Sequence, residues 1–244
     1  MEPYYYQTLS KAEQSSYQAM QAGLQAFAPS FPVPLLENRA LTDVFMKLRL
    51  DCPQLFYAGT FQYRYYPDSR NAELIPAYLF EKGKLKEHQK ALQSRVEKLV
   101  RPVARCSDEE KLLYIHDFIC KNVRYDKLKK QYSHEIIGVL GHGVGVCEGI
   151  AKAVKILCDA LQIQCIIALA ENNPERGVKY RHAWNVVRLD KKYYHLDCTF
   201  DLSLGNPEEI RYDYFLLSDK QIFRDHERLV WRVPACEDTD RFYY

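Results

Sequence analysis

A glycine-rich loop turns into a helix within Gly143-Val144-Gly145-Val146-Cys147-Glu148-Gly149-Ile150-Ala151-Lys152-Ala153. From Cys147 onward the apolar residues recur at helical spacing, at Ile150, Val154, Leu157 and Leu161. This periodicity predicts a buried helix that carries the thiol of Cys147 at its start. Gly149 lies in the first turn, where glycine costs up to ~1 kcal/mol relative to alanine. We therefore expect it to leave room for substrate or for a neighbouring strand.

The start of a helix favours a reactive thiolate. A free thiol has a pKa of about 8.5, and a helix N-terminus offers partial positive charge and unsatisfied N–H groups. A nearby imidazolium would favour the thiolate of Cys147 further. The backbone N–H of Cys147 can supply half of an oxyanion hole. Tyr125, Gln131 and His142 precede the cysteine and are candidates for the second donor.

A histidine and an aspartate follow the cysteine on a predicted hairpin. Residues 181–189 and 192–200 have strand composition, and Asp190-Lys191 forms the turn between them. This pairing places 182 opposite 199, so Asp197 lies diagonally beside His182 within a strand. A carboxylate there can accept the imidazole N–H and hold the tautomer.

Other residues of this hairpin take supporting positions. Alternation along a strand places Tyr180 and Trp184 on the face of His182, where they would form an aromatic wall beside the imidazole. His195 shares the face of Asp197. Gly145 and Gly149 shape the loop and the helix start, and Asn185 directly follows the His182-Ala183-Trp184 stretch.

The remaining patterns predict an α+β protein in which helices precede the sheet. Capping boxes begin helices at Ser10 with Glu13 and at Ser107 with Glu110. Further helices are expected near 41–48, over 84–100 and after Ser218. Strands are expected at 61–65, 73–79, 164–169 and 214–217, with Pro76 marking an edge or bulged strand. We expect a helix-rich N-terminal accessory region at 1–106 and a catalytic core at 107–244.

The other histidines have no clear part in this chemistry. His116 lies on the apolar face of a predicted helix and is expected to be a core histidine with its polar atoms satisfied. Four more stand in polar stretches and are expected to be exposed; they are His88, His134, His142 and His226. Glu148 is expected to complement the helix N-terminus.

Composition excludes several classes of protein. The 244 residues are 47% hydrophobic and 27% charged, which is typical of a globular chain, and the net charge of +2 gives no footprint for nucleic acid. No apolar run is long enough to span a membrane, and the start of the chain has no signal-peptide pattern. The eight cysteines lack zinc-ligand and disulfide spacing. We therefore expect a cytoplasmic protein without metal or cofactor.

At these residues the chain resembles the transglutaminase-like superfamily, papain-related cysteine enzymes with the order Cys–His–Asp. The resemblance covers about residues 107–226 and rests on Gly145–Ala151, His182–Asn185 and Tyr194–Asp201, with the helix that leads to Arg124-Tyr125-Asp126. It implies a papain-like core with the catalytic helix packed on an antiparallel sheet. It also implies that Cys147 is the nucleophile, His182 the base and Asp197 the orienting acid.

The implied activity is acyl transfer from a peptide or amide substrate through a thioester intermediate. Water as acceptor makes a protease, peptidase or amidase, and a lysine makes a protein-crosslinking transglutaminase. Hydrolysis is favoured, because water is the default acceptor and the sequence has no evident amine channel or calcium-binding loop. A non-catalytic protein-interaction module on the same fold is the alternative of a different class. The sequence does not indicate the substrate or the oligomeric state.

Overall fold

The computed structural model describes residues 2–206 and 208–238, and it divides into two compact units between Lys90 and Ala91. The helix α4 (Lys82–Val100) crosses this division. The sequence placed the boundary later, between residues 106 and 107. No described helix in these ranges is both long and apolar enough to cross a membrane.

The first unit combines three helices with a small antiparallel sheet. The helices are α1 (Tyr4–Gln7), α2 (Lys11–Gln25) and α3 (Asn38–Asp51), and the strands are β1 (Phe31–Pro34), β2 (Ala58–Tyr65) and β3 (Asn71–Tyr78). The capping box at Ser10 and Glu13 is present, and β2 pairs with β3 as the predicted hairpin. Local signals therefore located α2, α3, β2 and β3, whereas α1 and β1 were not predicted.

The prediction for the strand that contains Pro76 is wrong in one respect. The strand order is β1-β3-β2, so β3 is the central strand and not an edge. The register shift lies in β2, between Ala58 and Thr60. Pro76 is tolerated because β1 pairs only with residues 71–74 of β3.

The second unit contains the rest of the chain. After α4 come the helices α5 (Asp108–Asn122), α6 (Cys147–Ala160), α7 (Cys198–Leu204) and α8 (Asp219–Ile222). The strands are β4 (Arg124–Tyr125), β5 (Val144–Gly145), β6 (Cys165–Leu169), β7 (Ala183–Leu189), β8 (Lys192–Leu196) and β9 (Phe215–Leu217). A short π-helix, Ile137–Gly141, precedes β5.

The helix α6 packs on an antiparallel sheet, as predicted. The sheet has the order β6-β7-β8-β9, and α6 contacts β6 and β7. The residues Ile150, Val154 and Leu157 of α6 are buried, at 2% exposure or less. The expected α+β architecture with a helix on an antiparallel sheet is therefore confirmed.

The predicted strand ends next to the site are wrong. The pair Asn185 and Leu196 has the predicted hairpin register, but β7 begins after His182 and β8 ends before Asp197. Instead of continuing a strand, Asp197 caps α7, and its Oδ1 accepts the N–H groups of Thr199 at 2.8 Å and Phe200 at 3.2 Å. Aspartate satisfies otherwise unpaired N–H groups at a helix start, which explains why the strand ends there.

Candidate active site

Cys147 is the first residue of α6, at the position that the sequence predicted. The preceding residue, Val146, makes no side-chain cap, and its own N–H donates to the Ser133 carbonyl at 3.0 Å. Cys147 is half-buried. Of the eight cysteines only Cys106 and Cys147 are partly exposed, and the other six are buried. Cys147 is thus one of two thiols that a reagent can reach.

Parallel pairing of β4 with β5 sets the loop before Cys147, because Tyr125 lies opposite Gly145. The carboxylate of Asp126 accepts from the Ser133 hydroxyl at 2.5 Å and from the Lys130 N–H at 2.9 Å. The turn that carries Ser133 is therefore anchored beside the start of α6.

Two glycines of the loop are required by close packing. A Cβ on Gly145 would come within 2.5 Å of Val139, and a Cβ on Gly149 would overlap the Ser133 carbonyl oxygen. The expectation that Gly149 leaves room for substrate or a strand is therefore wrong. Its space is filled by the backbone of the turn that contains Ser133 and His134.

The structure brings His182 to Asp197, just beyond the ends of the paired strands. The Nε2 atom of His182 lies 2.6 Å from Oδ2 of Asp197, and the two side chains are 20% and 1% exposed. Trp184 stacks on the His182 ring with centroids 5.7 Å apart, and Phe200 contacts the ring at 4.9 Å. The imidazole is thereby fixed between aromatic rings.

Charge keeps this pair ionised. Burial lowers the pKa of His182, but the Asp197 carboxylate and a hydrogen bond with the Cys147 side chain outweigh burial and raise that pKa to about 10. Burial likewise raises the pKa of Asp197, but His182 and His226 outweigh it and hold that pKa well below its ordinary value. Cys147, His182 and Asp197 therefore form a connected series of side chains.

Of the three candidates for a second oxyanion donor, Tyr125 lies at Cys147. The pKa of the Tyr125 hydroxyl is raised to about 12, chiefly by burial. The charge of the Cys147 sulfur and hydrogen bonding with it add to the rise, and the Cys147 backbone N–H opposes it. The hydroxyl therefore lies beside Cys147 at the helix start. Gln131 and His142 are exposed.

The supporting residues act through hydrogen bonds. Asn185 donates to the Ala151 carbonyl at 2.9 Å and so links β7 to α6. The Trp184 Nε1–H donates to Nδ1 of His195 at 2.9 Å, and His195 Nε2 lies 2.8 Å from Asp219 Oδ1. Burial lowers the pKa of His195 despite that carboxylate. A neutral His195 therefore holds the tryptophan that stacks on His182.

The predicted aromatic wall is only partly correct. Tyr180 lies before the start of β7, is 67% exposed, and has the Lys129 ammonium over its ring at 3.3 Å. Strand alternation therefore does not apply to Tyr180. The wall beside His182 consists of Trp184 and Phe200.

His226 was missed, and the prediction that it is exposed is wrong. It is buried at 6% exposure, and its Nε2 lies 2.9 Å from Oδ2 of Asp197. The surrounding stretch, Arg224–Arg228, contains only charged and polar residues, so its composition indicated a solvated loop. The capping box at Ser218 predicts the short helix α8, but α8 ends four residues before His226 and does not indicate that this histidine is buried.

The remaining histidines differ in exposure. His116 is buried as predicted, with Nε2 3.0 Å from Asp201 Oδ2. His142 is exposed as predicted, while His88 and His134 are half-buried. His134 pairs through Nδ1 with Glu148 at 3.2 Å.

Two groups of side chains have the spacing of metal ligands, within 4.8 Å of one another: His182, Asp197 and His226, and His195, Asp219 and Cys236. Hydrogen bonding accounts for both. In the second group the Trp184 N–H occupies Nδ1 of His195, so the proton of this ring lies on Nε2, the atom that would bind a metal. In the first, both histidines donate to one oxygen of Asp197.

Comparison with known proteins gives one family match, which spans the site. Residues 97–198 match the family described as the transglutaminase-like superfamily. The matched range contains Cys147, His182 and Asp197. No curated protein sequence matches the chain.

Similar solved structures include a TGase with 13% identity and a TM-score of 0.39. Its alignment covers 58% of this chain and 44% of the TGase chain. A candidate cysteine protease from Cytophaga hutchinsonii has 15% identity and a TM-score of 0.37, and its alignment covers 57% of this chain and 61% of the protease chain. A candidate protease from Parabacteroides distasonis has 15% identity and a TM-score of 0.35, and its alignment covers 57% of this chain and 36% of the protease chain. The alignments thus span less than two thirds of each of these proteins. Residues 97–198 are thus similar to the transglutaminase-like superfamily.

Proposed function

We propose that this chain is a papain-like thiol enzyme that cleaves a peptide or amide bond by acyl transfer to Cys147. One observation carries the proposal. The Cys147 thiol, at the start of α6, contributes to the raised pKa of His182, and His182 lies 2.6 Å from a buried carboxylate. Nucleophilic catalysis by cysteine needs this order of thiol, imidazole and orienting acid.

The proposed reaction has two steps. The Cys147 thiolate attacks the substrate carbonyl, and His182 gives its proton to the leaving nitrogen, so that the C–N bond breaks and a thioester remains. His182 then removes a proton from water, and the resulting hydroxide attacks the thioester. The C–S bond breaks and the acid product leaves, so that the Cys147 thiolate is released beside the His182 imidazolium that now holds the proton from water. Asp197 keeps its charge throughout and stabilises the imidazolium.

Two donors are proposed for the oxygen that becomes negative in each step. The backbone N–H of Cys147 is one, and the Tyr125 hydroxyl beside it is the other. Donors placed where charge develops lower the barrier, because they need no rearrangement during the reaction.

Thiol reactivity tests the nucleophile without knowledge of the substrate. Iodoacetamide at pH 6–7 should label Cys147 well before Cys106, the other partly exposed cysteine, because only Cys147 has a helix N-terminus and an imidazole partner. Mass spectrometry after limited labelling measures both sites in one sample. Equal labelling, or labelling led by Cys106, would contradict the assignment.

A peptide library with and without an added primary amine tests the acceptor. Hydrolysis yields an acid product, whereas crosslinking yields a product that carries the amine. Cys147→Ala should abolish turnover, His182→Ala should nearly do so, and Asp197→Asn should be milder because it keeps the shape of the side chain. The matched control is Cys106→Ala, which should leave turnover unchanged. A reactive Cys147 without turnover of any peptide or amide would favour a non-catalytic module.

A further inference from the structure

His226 contacts the proposed site at Asp197, beside His182. Its Nε2 lies 2.9 Å from Oδ2 of Asp197, the same oxygen that His182 approaches at 2.6 Å. Its Nδ1 lies 2.7 Å from Oδ1 of Asp225. The ring is therefore held between two carboxylates.

The surroundings of His226 keep this ring in place. Its backbone N–H donates to the Ile222 carbonyl at 3.2 Å, at the end of α8. The ring of Phe200 lies 4.5 Å away and that of Trp184 4.8 Å away, between centroids. Both aromatic residues also contact His182, so one set of rings packs against both histidines.

Hydrogen bonding indicates the charge of this ring. A neutral imidazole donates from one nitrogen only and would turn the lone pair of the other toward a carboxylate. A doubly protonated ring donates to Asp197 and Asp225 together. The outer carboxylate is held in turn, because Asp225 accepts from the Tyr214 hydroxyl.

We propose that His226 is a positioning residue that holds Asp197 in place and shares its negative charge with His182. The inference rests on the proposed function. If Asp197 served His182 alone, its whole charge would retain the imidazolium proton. Because a second cation draws on the same oxygen, His182 gives that proton more readily to the leaving nitrogen. His226 touches neither substrate nor thiol in this scheme and acts through Asp197 and through its position beside the His182 ring.

The titratable groups that face His226 are the carboxylates of Asp197 and Asp225 and the imidazoles of His182 and His195, with the Tyr214 hydroxyl behind Asp225. Asp197 and His182 connect His226 to the proposed reaction. Two substitutions can separate its two contacts.

His226→Gln places an amide nitrogen close to the position of Nε2, which keeps a donor for Asp197 but removes the charge. His226→Asn places its amide near Nδ1, which keeps a donor for Asp225 and loses Asp197. The readout is the rate of Cys147 alkylation by iodoacetamide from pH 4 to 11, which needs no substrate. The upper limb of this pH profile, which is the change in rate at alkaline pH, reports the loss of the His182 proton.

For His226→Gln we expect a neutral-pH rate within about threefold of wild type, and an upper limb raised by roughly one pH unit, because a charge near His182 is lost. The ring centroids of the two histidines are 5.3 Å apart. For His226→Asn we expect the same upward shift and a fall in rate of roughly tenfold or more, because Asp197 is no longer held. Folded variants, checked by circular dichroism, with a wild-type profile would overturn the inference.

A second measurement uses the wild-type protein, so that the test survives if a variant does not fold. The ¹⁵N spectrum of histidine-labelled protein at pH 7 should show both ring nitrogens of His226 protonated. A neutral tautomer would also overturn the inference. Failure of the proposed function looks different, because a wild-type Cys147 that reacts no faster than Cys106 would refute the nucleophile whatever His226 does.

Discussion

Asp197 does three things with two oxygens. Its Oδ1 caps α7, while its Oδ2 accepts from His182 and His226. A fully buried carboxylate is unfavourable unless its charge is compensated. The capping N–H groups and the two imidazoles provide that compensation, so stability and the proposed chemistry depend on the same side chain.

The His182–Asp197 pair predicts how stability depends on pH. Because the folded pKa of His182 is raised to about 10, its contribution is complete below the unfolded value of about 6.5 and is lost as pH rises through about 10. Because the folded pKa of Asp197 is lowered, its contribution is present above about pH 4 and is lost as pH falls through the folded value. The pair therefore stabilises most at about pH 4–6.5.

The test compares wild type with His182→Gln by urea unfolding at pH 6 to 9. Their difference in unfolding free energy should shrink above pH 6.5, by at most about 1.4 kcal/mol per pH unit. His142→Gln, at an exposed histidine, should differ from wild type by the same amount throughout. A His182→Gln difference that stays constant to pH 9 would contradict the ion pair.

Tyr125 gives a prediction about catalysis. Tyr125→Phe keeps the ring and removes the hydroxyl that contacts Cys147, so we expect kcat to fall by roughly a hundredfold with little change in KM. Steady-state kinetics on a substrate from the library measures this. Tyr66→Phe, at an exposed tyrosine of the first unit, is the control and should be unaffected. An unchanged kcat in Tyr125→Phe would remove this hydroxyl from the mechanism.

At the scale of elements, the start of α6 depends on the turn that packs across it. The Val146 N–H donates to Ser133, and Gly149 lies against the same carbonyl. The buried ammonium of Lys152, one turn further on, lies 2.9 Å from Glu135 and 2.8 Å from Glu148. These contacts connect the turn to the first two turns of the helix.

Gly149→Ala should therefore destabilise the protein although alanine favours helices. The added Cβ would overlap the Ser133 carbonyl oxygen, and we expect a loss of about 1–3 kcal/mol. The matched control is Gly83→Ala in α4, where a Cβ meets nothing within 4 Å and a gain of about 0.5–1 kcal/mol is expected. Chemical denaturation of both variants measures the signs. Equal stabilisation of both would show that the turn yields without cost.

At the scale of the whole molecule, the division between Lys90 and Ala91 gives a test of where the unit that contains Cys147 begins. The second half of α4 belongs to the second unit, where Leu92 and Leu99 are buried. Arg95 lies over the ring of Phe118 in α5 at 5.8 Å. The second half of α4 therefore supplies buried apolar side chains to the second unit, and Arg95 links it to α5.

A fragment that begins at residue 81 should therefore fold and keep the preferential alkylation of Cys147. A fragment that begins at residue 107, the boundary expected from sequence, lacks α4 and should be poorly folded, because it leaves the apolar surface under Leu92 and Leu99 uncovered. Circular dichroism and labelling test both fragments. A stable, reactive 107–244 fragment would show that the earlier boundary is unnecessary.

Features that depend on near neighbours in the chain could be predicted from the sequence. The stripe after Cys147, the capping boxes at Ser10 and Ser107 and the turn at Asp190-Lys191 each arise within a few residues, and the structure has all of them. Hairpin register follows from the length of its turn, so the approach of Asp197 to His182 was also predictable.

Features that join distant parts of the chain depend on tertiary contacts and could not be predicted from the sequence. The strand ends at Leu196 because Asp197 has N–H groups to cap, and Gly149 is needed because a turn packs on it. His226 lies 29 residues from Asp197 in a charged stretch, where local composition predicts exposure. A polar side chain becomes buried when distant partners satisfy its hydrogen bonds. Sequence periodicity describes near neighbours only and does not identify those partners.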